Sequence, residues 1–305
     1  MVGVIKLFAS KFLKLFLFSQ FLSCSVSNFH LIDKKNASFY QFNGIEKNNI
    51  LSIDLILKQN SIEQKTRLIV DTGSSISILN YSNEFKKKYS KKIEINSIHN
   101  TFMKDFQFID VDFYDLDKKI LLKNFEVSSA FLGEENFQDG ILGNDFLSKF
   151  SLFLELPEKI IIVNKTFQQT DIDGFTRVPM RFDGNHILFQ IELDRKKFDF
   201  LLDTGAGISC LDESITKQIR YKKTTGIKVF GTDGNTIESE SYILDKLCID
   251  ENLCAKNVDF IIKNLENIFY PDKSKKIAGI LGKNWIEKYS ILIDFQSKSL
   301  YIKRR

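Results

Sequence analysis

A chain of 305 residues, 43% hydrophobic and 27% charged, can bury two modest cores and suggests about two domains. Its formal net charge of +4 is small for that length, so no nucleic acid is expected as a partner. With 3 His, 4 Cys and no cluster at ligand spacing, no metal site is expected, and no phosphate-cradling loop calls for a cofactor.

In chain order, Lys6, Lys11 and Lys14 precede Leu15-Phe-Leu-Phe-Ser-Gln-Phe-Leu-Ser-Cys24, an apolar stretch too short to span a bilayer comfortably. Residues 1–24 read as a cleaved secretory signal, 25–38 as a polar tether, and the protein as exported to the cell envelope, the periplasm or the medium. Ser23-Cys24 also resembles a bacterial lipoprotein cleavage site, which would acylate Cys24 and attach the N-terminus to a membrane. Phe21 and Leu22 depart from that pattern, and an uncleaved anchor is a third reading. About 14 residues lie between Cys24 and the first repeated strand, so a long inhibitory propeptide is not expected.

Short runs of Ile, Val, Phe and Tyr bounded by Asn, Asp, Gly and Ser then predict strands at 50–57, 67–70, 106–114, 151–156, 187–193, 198–202 and 291–295. Short helices are expected at 82–88, 144–150, 213–219 and 283–289. The basic run Lys86-Lys-Lys-Tyr-Ser-Lys-Lys92 reads as a solvated helix face, with a patch for nucleic acid or anionic lipid as the alternative. The fold class is all-β.

The chain is also an internal duplication. Leu68-Ile-Val-Asp71-Thr72-Gly73-Ser74-Ser-Ile-Ser-Ile-Leu79 is matched by Phe200-Leu-Leu-Asp203-Thr204-Gly205-Ala206-Gly-Ile-Ser-Cys-Leu211. Asp139-Gly-Ile-Leu-Gly-Asn-Asp-Phe-Leu147 is matched by Ala278-Gly-Ile-Leu-Gly-Lys-Asn-Trp-Ile286, and Phe42-Asn-Gly44 with Ile50-Leu51 by Phe182-Asp-Gly184 with Ile187-Leu188. Partners are offset by 140 at Phe42/Phe182, 132 at Asp71/Asp203 and 139 at Gly143/Gly282. Two copies of this length make two lobes rather than a solenoid. In each, an Asp leaves an apolar strand at a turn where Gly lets backbone N–H groups approach the carboxylate and where the Thr hydroxyl can bond within the turn.

These paired segments, over roughly residues 39–302, resemble the pepsin and retropepsin group of aspartic peptidases. The resemblance implies a two-lobed acid-protease fold, each lobe a closed barrel-like unit with short helices: 39–165 as the first lobe, 166–177 as a linker and 178–305 as the second. It implies Asp71 and Asp203 as the catalytic pair in the cleft, with Thr72, Gly73, Ser74, Thr204, Gly205 and Ala206 supporting the turns and Ile141-Leu142-Gly143 and Ile280-Leu281-Gly282 crossing beneath them. A monomeric endopeptidase acting on polypeptides follows. The alternative is a catalytically silent peptide-binding or envelope protein on the same fold. Residues 93–110 lack the Gly and Tyr of a pepsin flap. The glycine-bearing hairpin at 229–236, with Gly231, Thr232, Asp233 and Gly234 at its tip, is a candidate retropepsin-like flap or else a plain surface hairpin.

Two like charges held close together share one proton and titrate as a unit. The ionised Asp takes a proton from a water between the pair while the protonated one hydrogen-bonds the scissile carbonyl, so hydrolysis needs no metal. Ser74 is expected to donate its hydroxyl to Asp71 where Ala206 cannot serve Asp203, which would make Asp71 the ionised member. In an exported protein Cys248 and Cys254 can form a disulfide closing a hairpin, with two reduced thiols as the alternative. Cys210 reads as a small buried hydrophobe.

Overall fold

The computed structural model describes residues 39–47, 50–80, 84–96, 101–132, 139–156, 160–164, 172–230, 236–266 and 276–305. The expected signal, Cys24, the tether and the candidate flap tip Gly231, Thr232, Asp233 and Gly234 lie outside them. Strands dominate, formed by the runs of Ile, Val, Phe and Tyr that predicted them. Along Ile50–Gln59, Leu51, Ile53, Leu55 and Leu57 enter the main core while Asp54 and Lys58 face outward. The two strands that lead into the Asp-Thr-Gly turns are buried on both faces. Leu68 and Val70, like Phe200 and Leu202, pack into the main core, and Ile69 and Leu201 enter smaller clusters on the opposite side. That double burial explains unbroken apolar runs where a half-exposed strand would alternate.

The first lobe is an eight-stranded sheet ordered Ile45–Lys47, Ile50–Gln59, Ile62–Val70, Gly140–Leu142, Ile78–Asn80, Ile120–Ala130, Thr101–Tyr114, Tyr89–Asn96. It curls until Ile50–Gln59 also pairs with Thr101–Tyr114. The second lobe repeats the plan with His186–Leu193, Lys196–Leu202, Gly279–Leu281, Ser209–Asp212, Cys254–Lys263, Ser241–Cys248 and Lys222–Lys223, closed where Glu192 meets Cys248.

Six strands, three from each half, join the lobes in the order Phe39–Asn43, Ile160–Asn164, Ser151–Glu155, Tyr289–Asp294, Ser299–Arg304, Thr176–Asp183. At its centre Ser151 lies opposite Asp294 and Leu154 opposite Ile291. Thr176–Asp183 pairs through its first half with this joining sheet and through its second half with His186–Leu193. It begins at Thr176, inside the stretch read as linker. No helix among the described residues is long and apolar enough to cross a membrane.

Helices form where expected at Asn144–Leu147 and Lys283–Ile286, each shorter than the sequence suggests, and Glu213–Gln218 is a 3-10 helix. The expected helix at 82–88 is a correction: its described part, 84–88, is a bend and extended chain. Phe85 is buried there, the Lys86 N–H donates to Gln59 and the Lys88 N–H to the Phe108 carbonyl, so tertiary partners outbid the local turn. Lys91 and Lys92 consequently sit on the outermost strand of the first sheet, where exposed lysines guard an open edge against pairing with another chain.

Candidate active site

Each turn begins where its strand runs out of partners on one side and gains one on the other. Gly140–Leu142 lies parallel to Ile69 and Val70 and antiparallel to Ile78 and Leu79, and the Asp71 N–H donates to the Leu142 carbonyl at 3.0 Å. Gly279–Leu281 does the same for Phe200–Leu202 and Cys210–Leu211, with the Asp203 N–H on the Leu281 carbonyl at 3.0 Å. The Gly143 N–H is held by Ser77 Oγ and the Gly282 N–H by Ser209 Oγ, both at 3.0 Å. The duplication read in the sequence is thus a duplication of hydrogen bonds.

The two turns meet at the lobe boundary. Asp71 Oδ1 accepts from the N–H groups of Gly73 (2.8 Å) and Ser74 (3.0 Å), and Asp203 Oδ1 from those of Gly205 (2.8 Å) and Ala206 (2.9 Å). The two carboxyl groups hydrogen-bond each other. Burial pushes both above the ordinary carboxylate range, and for Asp71 the neighbouring charge of Asp203 adds to it, while the backbone donors pull the other way. A pair so placed holds a proton that isolated carboxylates would have lost.

The glycines act across the boundary. A methyl at Gly205 would lie 2.5–2.7 Å from Cγ and both oxygens of Asp71, and one at Gly73 would strike the Asp203 carboxylate in the same way. Glycine is therefore required at each turn because the opposite carboxylate occupies the space of its side chain.

Thr72 and Thr204 also differ from expectation. Their hydroxyls bond across the lobes instead of within their own turns. The Thr72 N–H donates to Thr204 Oγ1 (3.0 Å) and the Thr204 N–H to Thr72 Oγ1 (3.1 Å); the hydroxyls then donate to the Leu202 and Val70 carbonyls at 2.9 and 2.6 Å. Both threonines are fully buried. The asymmetry assigned to Ser74 is corrected too. Its hydroxyl donates to the Ile76 carbonyl at 2.8 Å, not to Asp71, so each carboxylate receives the same two backbone donors and no side-chain hydroxyl singles out Asp71 as the ionised partner.

Three residues had no role in the sequence reading. Asn144 Nδ2 donates to the Thr72 carbonyl (2.6 Å) and to the Asn185 carbonyl (2.7 Å), and Asn185 Nδ2 donates to the Ser75 carbonyl (2.9 Å). His186 Nε2 lies 3.1 Å from Ser75 Oγ, with the Gly73 backbone near enough to pull the ring toward its charged form. Asn185 and His186 sit at the tip of the hairpin between Thr176–Asp183 and His186–Leu193, inside the repeat Phe182-Asp183-Gly184…Ile187-Leu188. The repeat was the only available signal. The register shifts it by one: Ser52 lies opposite Ile69 and Leu188 opposite Leu201, which equates Ile50 with His186 rather than with Ile187.

The strands flanking the candidate flap, Ile227–Phe230 and Thr236–Ser239, form the expected antiparallel pair. The first lobe carries a longer hairpin of Tyr89–Asn96 with Thr101–Tyr114, built without the pepsin flap residues. Cys248 and Cys254 are joined by a disulfide, and Cys210 is buried with its thiol pushed up to about 12 by burial. Among the described residues no three His, Cys, Asp or Glu side chains cluster to hold a metal ion.

An aspartyl protease family model matches residues 178–285, most of the second lobe. No curated protein matches the chain. Among solved structures, conglutin gamma, a basic 7S globulin from lupine seeds, superposes with a TM-score of 0.57 at 9% identity, covering 88% of this chain and 96% of that one. Basic 7S globulin from soybean gives a TM-score of 0.56 and a protein named edgp 0.55, each at 10% identity, 88% of this chain and 95% of the other. At such identities the likeness is one of fold. With its second lobe matched as an aspartyl protease and one Asp-Thr-Gly turn entering the cleft from each half, the chain has the pepsin- and retropepsin-like aspartic-peptidase fold.

Proposed function

We propose that the protein is an endopeptidase that hydrolyses polypeptides with a water activated between Asp71 and Asp203. The observation that carries this is the carboxyl pair itself: hydrogen-bonded to each other, each cradled by two N–H groups and each closed against the other lobe's glycine. The ionised member removes a proton from the water as it attacks the scissile carbonyl, and the protonated member donates to the oxygen on which charge develops. Collapse of the tetrahedral species passes a proton to the leaving amine and restores the pair. The disulfide supports export into an oxidising compartment. Attachment through the N-terminus and a monomeric state complete the proposal.

The test is cleavage of an unfolded protein by the purified chain. Asp71→Asn and Asp203→Asn should each abolish it, and a statine-type mimic of the tetrahedral species should inhibit it. A second reading, a peptide-binding protein without catalysis, draws on the globulins that share the fold. It predicts that the mimic binds and nothing is cut.

A further inference from the structure

We propose that His186 is a positioning residue for this site: a second-lobe imidazole that ties down the first-lobe active-site turn and, on taking up a proton, places a positive charge beside the carboxyl pair. This rests on the endopeptidase reading and adds a third titrating group to it. His186 Nε2 meets Ser75 Oγ at 3.1 Å, one residue past Ser74, whose N–H with that of Gly73 closes the Asp71 carboxylate cage. The hairpin carrying it is fixed at Asn185, which donates to Ser75 and accepts from Asn144, itself bound to Thr72. Movement at this tip therefore reaches the turn through three hydrogen bonds.

The duplication gives an independent sign. In the first lobe the register-equivalent residue is Ile50, which packs against the apolar cluster of Ile69, Phe106 and Ile141. One turn is thus contacted by a titratable ring where the equivalent position on the other side holds only hydrocarbon; the second turn instead meets buried Lys283, the repeat partner of Asn144, whose N–H donates to the Ala206 carbonyl.

The charged group that acts on the ring is Asp183, its register partner across the hairpin; Asp71 begins the turn whose Ser75 the ring contacts, and the Asp145 carboxylate, next to Asn144, is occupied by Ser77 Oγ at 2.6 Å. Burial holds the imidazole below the usual histidine range, against the pull of Asp183 and of the Gly73 backbone, so the ring takes up its proton at lower pH than an exposed histidine would. There its charge favours the singly ionised carboxyl pair over the fully protonated one, which extends activity to lower pH.

The experiment compares kcat/KM against pH for the full chain and for His186→Gln, whose amide keeps a hydrogen-bonding group for Ser75 but cannot become charged. The expected result is an acid limb displaced toward neutrality by about half a pH unit, roughly a threefold loss on that limb, with the alkaline limb within about twofold of wild type. Superimposable acid limbs, or an equal loss at every pH, would overturn the proposal. A second measurement does not need turnover. The His186 imidazole is titrated by NMR, assigned by its loss in His186→Gln, in wild type and in the double variant Asp71→Asn/Asp203→Asn. Removing both carboxylates, and with them the pair's charge, should lower the imidazole pKa, by the reciprocity of coupled sites. An unchanged titration would sink the coupling, and a chain that cuts nothing yet shows the shift would refute the endopeptidase reading alone.

Discussion

At the scale of single residues, the site is built from what is missing as much as from what is present. Gly205 leaves room for the Asp71 carboxylate, so Gly205→Ala should cost about a hundredfold or more in kcat/KM while the lobes still fold, a result read from kinetics beside a circular-dichroism melt. Activity within a few-fold of wild type would mean that the carboxyls are not held this closely. The pair also makes a stability prediction. Its carboxyls titrate above the ordinary value of 3.8, so between that value and the folded one the native state holds protons that the unfolded chain has released. The stability they contribute is complete below the unfolded value and is lost as pH rises through the folded one. Asp203→Asn, which cannot carry the second charge, should therefore melt higher than wild type at neutral pH, with the gain shrinking below about pH 4. The carboxylates and glycines were legible in the sequence because only those side chains, or their lack, can do these jobs. The direction of the Ser74 hydroxyl was not legible, because it is decided by a carbonyl two residues on, Ile76, whose orientation the chain does not announce.

At the scale of elements, the two active-site turns behave as one unit. Thr72→Val keeps the shape and removes a hydroxyl that serves both the Thr204 N–H and the Leu202 carbonyl, leaving two buried groups without their partners. A loss of about 2–5 kcal/mol in urea unfolding is expected, with Thr72→Ser recovering most of it. A loss below about 1 kcal/mol would show that the cross-lobe bonds carry little of the interface. Elements with strong local signals were readable. The apolar strand entering each turn and the strands flanking the Asp-Gly pair of the second lobe stand where the apolar runs put them, and the Ile-Leu-Gly crossing stands where the family resemblance put it. The 82–88 region misled because lysines are good helix formers, whereas buried Phe85 and the Phe108 carbonyl fix its described part as extended chain. The reciprocal threonine bonds span 132 residues, and nothing local distinguishes a hydroxyl bonding its own turn from one bonding its counterpart.

At the scale of the whole molecule, two lobes do not make two independent folding units. The main core runs without interruption from Leu55 and Phe113 in the first half to Phe200, Trp285 and Ile302 in the second, and the joining sheet takes three strands from each. Neither half can bury its share of that sheet alone. Calorimetry should accordingly show one cooperative transition whose van't Hoff and calorimetric enthalpies agree. Leu292, opposite Phe153 at the centre of the joining sheet, tests the same point from inside. Leu292→Ala removes a fully buried side chain and should cost about 2–5 kcal/mol. If the lobes are coupled as the shared core implies, the cost lowers the single transition as a whole. If the curve instead splits into two, with one lobe melting early, the sheet is a hinge between self-sufficient domains and the carboxyl pair is held together by the turn contacts alone.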